Sequence, residues 1–261
     1  MKEFVDIQGE PLAVQVFEPA EHQGDAVLIH GYTGSKEDFV LVGPLLAERG
    51  YRVITFDNRG QNESAHSRRE DAYSIASLAR DAALLADHFG MERPHLLGHS
   101  FGGLVVQRAA VQSPHRWASL TLFCSGPGAI PGKPELPATI EVLRTMSMVD
   151  VWNTYRDEDA KSDPVYELMK RRWALSDARS VMTHARHLID EPSIIDEVRA
   201  TGLPTYVVYG ENDDAWPLET QDQMAADLGA PITVIAAAGH CPNEDQPAVT
   251  AMVLADFWDS L

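Results

Sequence analysis

Pro94-His95-Leu96-Leu97-Gly98-His99-Ser100-Phe101-Gly102-Gly103-Leu104-Val105-Val106 decides the architecture of this 261-residue chain. Its first part is a short apolar run of strand type, and its last part suits a helix. Between them stands one serine, with a glycine two residues before it and another two after it. A nucleophile at the tip of a strand-to-helix turn is held in strained backbone geometry, and flanking glycines let strand and helix approach closely. The same turn aims the N–H of Phe101 and the positive end of the helix at the place where an oxyanion would form.

Upstream, Phe4 to Phe17 alternates as a hairpin with Gln8-Gly9-Glu10-Pro11 as its turn. Ala26 to His30 is a buried strand that stops at the Gly31-Tyr32-Thr33-Gly34-Ser35 loop. Phe39 to Arg49 suits a helix closed by Gly50, and Tyr51 to Phe56 is the next strand, followed by Asp57-Asn58-Arg59-Gly60. From Ser74 a helix carries Ile75, Leu78, Ala82, Leu85 and Phe89 as one apolar stripe, and Gly90 ends it.

Downstream, Trp117 to Cys124, Leu203 to Tyr209 and Pro231 to Ile235 read as strands. A helix spans about Leu218 to Leu228, and a C-terminal helix is expected to bury Val249, Met252, Val253 and Phe257. Strands alternating with helices predict an α/β fold, a mostly parallel sheet with helices on both faces. Residues 130–198 break the alternation: Pro131, Pro134 and Pro137 are followed by helical stretches with large apolar groups and no strand. That segment is expected to be a helical cap inserted after the sixth strand, with 1–129 and 199–261 forming the core.

In such sheets ligands bind beyond the carboxyl ends of the strands. Ser100, Asp213 and His240 each fall just past one of those ends. A serine hydroxyl needs a base within hydrogen-bond reach and a third group to orient that base. His240 is the expected base and Asp213 the orienting acid, with the backbone N–H groups of Tyr32 and Phe101 as oxyanion donors. Asp214 adjoins Asp213 and is the alternative acid, although the Gly210-Glu211-Asn212-Asp213 spacing favours Asp213. Asp57 and His30 read as loop-stabilising residues, and the His99 side chain is expected to point away from Ser100. His184 and His187 are read as surface or lining residues, and Cys241, beside His240, as a small apolar filler.

These residues resemble the α/β-hydrolase fold superfamily in its capped, serine esterase-like branch. The resemblance is carried by His30-Gly31-Tyr32-Thr33-Gly34-Ser35, Asp57-Asn58-Arg59-Gly60, Gly98-His99-Ser100-Phe101-Gly102-Gly103, Gly210-Glu211-Asn212-Asp213 and Gly239-His240. It implies Ser100, Asp213 and His240 as a catalytic triad and Tyr32 and Phe101 as the oxyanion hole. Many relatives carry glycine where this chain has Asn62, so a locally altered loop is expected there. The activity implied is hydrolysis of a small carboxylic ester or lactone through an acyl-enzyme. The alternatives are carbon–carbon hydrolysis of a diketone-like substrate, peracid formation with the same residues, or a non-turnover ligand receptor. Cap shape would decide among them.

The formal net charge of −18 argues against nucleic acid and anionic membranes as partners and favours a small-molecule substrate. Two cysteines, Cys124 and Cys241, make no disulfide framework. With an N-terminus lacking an apolar run, they suggest a cytoplasmic setting. No His/Cys/Asp spacing of metal-ligand type and no phosphate-binding glycine loop is present, so no cofactor or metal is expected. The substrate pocket is expected to be mostly apolar, with Met146, Met148, Trp152, Tyr155 and Trp173 from the cap and Trp216 from the acid loop as candidate lining residues.

Overall fold

The computed structural model describes residues 2–155 and 166–261. The part of the expected insertion at 156–165 lies outside the described residues. The first hairpin pairs β1 (Lys2–Ile7) with β2 (Glu10–Phe17) around Gln8 and Gly9, both at positive φ. The strands that follow are β3 (Gly24–Ile29), β4 (Tyr51–Phe56), β5 (His95–His99), β6 (Leu120–Phe123), β7 (Thr205–Gly210) and β8 (Ile232–Ile235). They form one sheet in the order β1-β2-β4-β3-β5-β6-β7-β8. β2 runs antiparallel to both its neighbours, and β4, β3, β5, β6, β7 and β8 pair in parallel. Every residue of β5 and β6 is buried, which is why both strands are largely apolar without alternating: helices cover both faces.

The covering helices of the first half are α1 (Val42–Glu48), α2 (Ile75–His88) and α3 (Phe101–Gln112). α2 begins at Ser74, whose side chain accepts from the Ser77 N–H, and Gly90 past its end takes φ +62°. The helix expected over 39–49 is divided. Ser35 and Asp38 cap each other's backbone and start a 3₁₀ turn at Lys36–Phe39, and α1 then follows. Pro44 lacks an N–H and fits only a first helical turn, which places the start of α1 at Val42.

Between β6 and β7 lie α4 (Glu135–Leu143), α5 (Met148–Tyr155), α6 (Tyr166–Leu175), α7 (Ala178–Asp190) and α8 (Ile195–Ala200). Leu143, Met148, Val151 and Val181 form a small apolar cluster apart from the main core, and Tyr32, Met146 and Trp173 pack against it. The inserted helices are tied to the loop after β4. The Asp177 N–H donates to the Gly60 carbonyl at 2.8 Å, and the Asn62 N–H donates to Ser176 Oγ at 3.0 Å. Beneath them the fully buried Arg59 makes two hydrogen bonds to Asp81, at 3.0 and 2.7 Å, and pairs with Glu10.

The chain closes with α9 (Leu218–Leu228), α10 (Pro242–Asp245) and α11 (Pro247–Asp259). α11 corrects an expectation. Its buried face is Ala251, Leu254, Ala255 and Trp258, whereas Val249 and Met252 are exposed and Val253 and Phe257 are only partly covered. Two stripes of this helix have apolar residues at helical spacing. Trp258 settles the choice by stacking on His95 and meeting Tyr51 edge-on, each at 4.9 Å.

Candidate active site

Ser100 sits at the carboxyl end of β5 with φ +53° and ψ −118°, a conformation that costs a non-glycine residue about 1–3 kcal/mol. Three hydrogen bonds hold it there. Its N–H donates to the Phe123 carbonyl (2.9 Å), and its own carbonyl accepts from the Gly103 N–H (2.8 Å) and from Ser125 Oγ (2.7 Å). A Cβ on Gly98 would lie 2.2 Å from the Gly102 carbonyl oxygen, and one on Gly102 would lie 2.4 Å from that of Ile29. Only glycine allows β3, β5 and α3 to meet this closely.

The loop after β3 lies against the serine: a Cβ on Gly31 would be 3.1 Å from Ser100 Cβ. Tyr32 follows that glycine directly in the chain. His30 organises the loop from within. Its Nδ1 donates to the Gly31 carbonyl (2.8 Å) and its Nε2 accepts from the Asn58 N–H (2.9 Å), while burial pulls its pKa down to about 4.

Asp57 is fully buried and accepts from the Lys36 N–H and Nζ (both 2.8 Å), from Asn62 Nδ2 (3.0 Å) and from the Glu63 N–H (3.1 Å). Its bonds knit the loops after β3 and β4 together. Asn62 takes φ +44°, so the backbone keeps the left-handed conformation a glycine would adopt. The asparagine amide reaches Glu37 as well as Asp57.

His240 follows β8 and donates from Nδ1 to Asp213 Oδ1 at 2.8 Å. The Asp213 side chain is buried and also accepts from the Ala215 N–H (3.0 Å), the Trp216 N–H (3.4 Å) and Gln221 Nε2 (3.0 Å). Burial alone would raise the Asp213 pKa, but His240, the Ala215 amide and Gln221 together hold it below the usual carboxylate range. Asp214 is exposed, and its carbonyl accepts from Lys133 Nζ (2.8 Å). Of the two adjacent acids, Asp213 is the one the structure joins to His240.

His99, Ser125 and Gln221 act in this neighbourhood through contacts that the sequence does not announce. His99 reaches across to the histidine loop: its Nε2 donates to the His240 carbonyl at 2.8 Å, and the two rings lie 4.9 Å apart. Burial, reinforced by His240, pulls the His99 pKa down to about 3, so its ring is a neutral donor. Ser125 holds the Ser100 carbonyl, and Gln221 holds Asp213. Gln221 did leave a trace in the sequence, as a polar residue on the face of α9 that buries Met224 and Ala225.

Cys124 is buried at φ +48°, and its thiol pKa is pushed well above the ordinary value by burial and by the Asp213 charge. His99, Cys124 and His240 each bring a potential ligand atom within 4.8 Å of the others. In this structure His99 Nε2 and His240 Nδ1 already serve the hydrogen bonds described. Cys241 is half-buried, with its thiol pushed up to about 12 by burial.

His184 also differs from expectation. It is fully buried on α7, stacks on the Phe101 ring at 4.4 Å and 25°, and its pKa is drawn well below the usual value by burial. His187 is half-buried, with Nδ1 on Glu191 Oε2 at 2.7 Å.

A cavity of about 420 Å³ opens beside the loop after β3, with Tyr32, Thr33, Trp152, Tyr155 and Trp173 among its walls. Met146, Met148 and Trp216 are not among the residues that line it. The two methionines pack in the small cluster of the inserted helices, and Trp216 is buried in the main core, its ring where a Gly126 side chain would be. Each fills space between helices or beneath the sheet edge, where bulk and flexibility serve packing.

The comparisons with known proteins follow this geometry. A model of the "Alpha/beta hydrolase family" matches residues 26–253. RutD of Variovorax paradoxus, whose name assigns it provisionally to carbamate hydrolysis, is 40% identical over 114 residues. That match covers 43% of this chain and 41% of RutD, so the chain spans less than half of that relative's length. Among solved structures, an esterase (EaEST) from Exiguobacterium antarcticum superposes with a TM-score of 0.82 at 19% identity, over 99% of this chain and all of the other. The enol-lactonase from Burkholderia xenovorans LB400 superposes at 0.81 with 18% identity, over 98% of this chain and 100% of that one. Likeness at these identities shows the fold.

Proposed function

The chain belongs to the alpha/beta hydrolase family, and on that premise we propose that it is a serine hydrolase cleaving a small carboxylic ester or lactone through an acyl-enzyme. The observations that carry this reading are the 2.8 Å His240–Asp213 pair and a serine held at φ +53° on the tip of β5. Ser100 Oγ attacks the ester carbonyl carbon while His240 Nε2 takes its proton. Asp213, kept ionised by its four donors, holds His240 in the tautomer with Nδ1–H and stabilises the imidazolium. The oxygen that becomes negative accepts from the N–H groups of Tyr32 and Phe101, each such donor lowering the barrier by about 2.7–4 kcal/mol. Collapse expels the alcohol, which takes the proton from His240, and water then repeats the sequence to release the acid.

In this reading, residues 130–198 act as a cap that closes over Ser100, with residues 1–129 and 199–261 as the core. Trp152, Tyr155 and Trp173 are its contributions to the substrate cavity. Four of the residues lining the cavity are aromatic, Tyr32 and these three, which favours an apolar moiety.

The test is turnover of 4-nitrophenyl esters from acetate to octanoate by wild type and Ser100→Ala side by side. Serine-dependent turnover with a chain-length optimum is expected. Full turnover by the Ser100→Ala protein, free of contaminants, would falsify the acyl-enzyme.

A further inference from the structure

Arg172 stands near the end of α6, and its guanidinium reaches the loop after β3. Nη1 lies 2.7 Å from Asp38 Oδ1, and the two side chains are only 11% and 10% exposed. Asp38 in turn binds two further segments. Its Oδ2 accepts from the Ser35 N–H at 3.2 Å, and its carbonyl accepts from Asn243 Nδ2 at 2.6 Å. Asn243 is fully buried on α10, just past His240. A Cβ on Gly34 would lie 2.3 Å from Asp38 Oδ2 and 3.2 Å from His30 Nδ1, so the carboxylate is seated against the bend of the loop.

That bend governs one peptide group. The Gly31 carbonyl accepts from His30 Nδ1 at 2.8 Å and from the Gly34 N–H at 3.1 Å. Gly31 C=O and Tyr32 N–H belong to the same planar trans peptide, so fixing the carbonyl also fixes the N–H on its opposite side. Gly31 and Gly34 give this loop wide backbone freedom, and its shape has to be held by its neighbours.

Asp38 holds its place while its charge is met. Burial pushes its carboxyl up, and the Arg172 charge is the largest influence opposing that shift. A buried carboxylate stripped of its cation takes up a proton or moves toward water, and either change loosens its hold on Ser35. Arg171, next to it on the same helix, pairs instead with Glu63 of the loop after β4.

We propose that Arg172 is a positioning residue, whose ion pair with Asp38 makes the seating of α6 a condition for the orientation of the Gly31–Tyr32 peptide. In this way a helix from the segment between β6 and β7 sets the direction of an oxyanion donor. The proposal rests on the serine-hydrolase reading for the role of the Tyr32 N–H, and on the loop geometry alone for the coupling.

Two measurements test it. The first is 4-nitrophenyl butyrate kinetics of wild type, Arg172→Met, Asp38→Asn, the double variant and Arg171→Met. Arg172→Met is expected to lower kcat about ten- to hundredfold, part of the loss that follows removal of a whole oxyanion donor. KM should stay within about twofold, because Arg172 is not among the residues lining the cavity. Ki for butyl trifluoromethyl ketone should rise in proportion to the loss in kcat. Ser100 Oγ adds to the carbonyl carbon of that ketone, its proton passes to His240, and the carbonyl oxygen becomes an oxyanion in the same position. The double variant should lose no more than Arg172→Met alone, and Arg171→Met should stay within about twofold of wild type. An unchanged kcat in Arg172→Met, an equal loss in Arg171→Met, or additive losses in the double variant overturns the proposal.

The second measurement needs no turnover. Amide hydrogen exchange in peptides covering residues 31–38 should quicken about tenfold in Arg172→Met, with residues 2–17 unchanged. Equal rates in both proteins, or quickening throughout the chain, overturns the coupling. If wild type hydrolyses no ester while exchange at 31–38 still depends on Arg172, the hydrolase reading falls and the coupling stands. If wild type and Arg172→Met hydrolyse esters alike, the coupling falls and the hydrolase reading stands.

Discussion

Removing the Ser125 hydroxyl separates the strain stored at Ser100 from the bulk stability of the fold. Ser125 is fully buried, and its Oγ donates to the Ser100 carbonyl at 2.7 Å. In Ser125→Ala that carbonyl keeps the Gly103 N–H at 2.8 Å, so no acceptor is left wholly unpaired. The loss is then one neutral hydrogen bond, about 0.5–1.5 kcal/mol. For a chain of this size about 1 kcal/mol lowers Tm by roughly 2–4 °C.

The effect on rate has a different origin. Ser100 occupies φ +53° and ψ −118° only because its surroundings hold it there against about 1–3 kcal/mol of backbone strain. Releasing one of three restraints lets the elbow relax toward an ordinary conformation that misplaces both Ser100 Oγ and the Phe101 N–H. If about 1 kcal/mol of that strain shifts the balance, kcat falls about fivefold. KM for 4-nitrophenyl butyrate should stay near the wild-type value, because Ser125 is not among the residues lining the cavity. Steady-state kinetics alongside thermal unfolding decide the matter. A Tm lowered as expected with kcat within twofold of wild type would refute the reasoning and make the Ser125 hydroxyl a stabilising group only.

Further consequences follow from the same geometry. Asp213→Asn should lower kcat by on the order of 10⁴, since it destroys the acceptor that fixes the His240 tautomer, whereas Asp214→Asn should stay within twofold; the reverse order in ester kinetics would transfer the role to Asp214. His99→Phe keeps a ring to pack on Phe123 but removes the donor to the His240 carbonyl. It should cut kcat about three- to tenfold with KM nearly unchanged and slow fluorophosphonate labelling of Ser100 in parallel; an unchanged labelling rate counts against His99 as a positioning residue.

Burial pulls His95 from 6.5 to about 4, so between those pH values the unfolded chain holds a proton that the folded chain does not. This group makes stability fall as pH drops through that window, by about 1.4 kcal/mol per pH unit, and contributes no pH dependence above it. Urea unfolding of wild type and His95→Phe at pH 6.5, 5.5 and 4.5 should show wild type losing stability more steeply by that amount; parallel curves would contradict the depressed pKa.

The glycine-flanked serine between a short apolar run and a helix was legible because its meaning is local. The close approach of β5 and α3 depends on Gly98 and Gly102, two positions either side of Ser100, although Phe123 and Ser125 supply two of the hydrogen bonds that hold the elbow. The order of strands and helices was legible for a related reason. Apolar periodicity and turn residues report secondary structure wherever one face is buried. Asp213 and His240 could be found because parallel strands deliver their carboxyl ends to one edge of the sheet.

What the sequence left undecided depends on which surfaces meet across long separations. α11 carries two apolar stripes at the same period, and only the packing of Trp258 on His95 and Tyr51 chose between them. His99 serves the histidine loop 141 positions away, and Ser125 and Gln221 act on Ser100 and Asp213 through contacts that no pattern of spacing encodes. Met148 and Trp173 share the composition expected of a lining, yet one packs inside a cluster and the other faces the cavity. A large apolar side chain suits either position equally well, so its role is set by the helix packed opposite it, and that is decided only when the whole chain has folded.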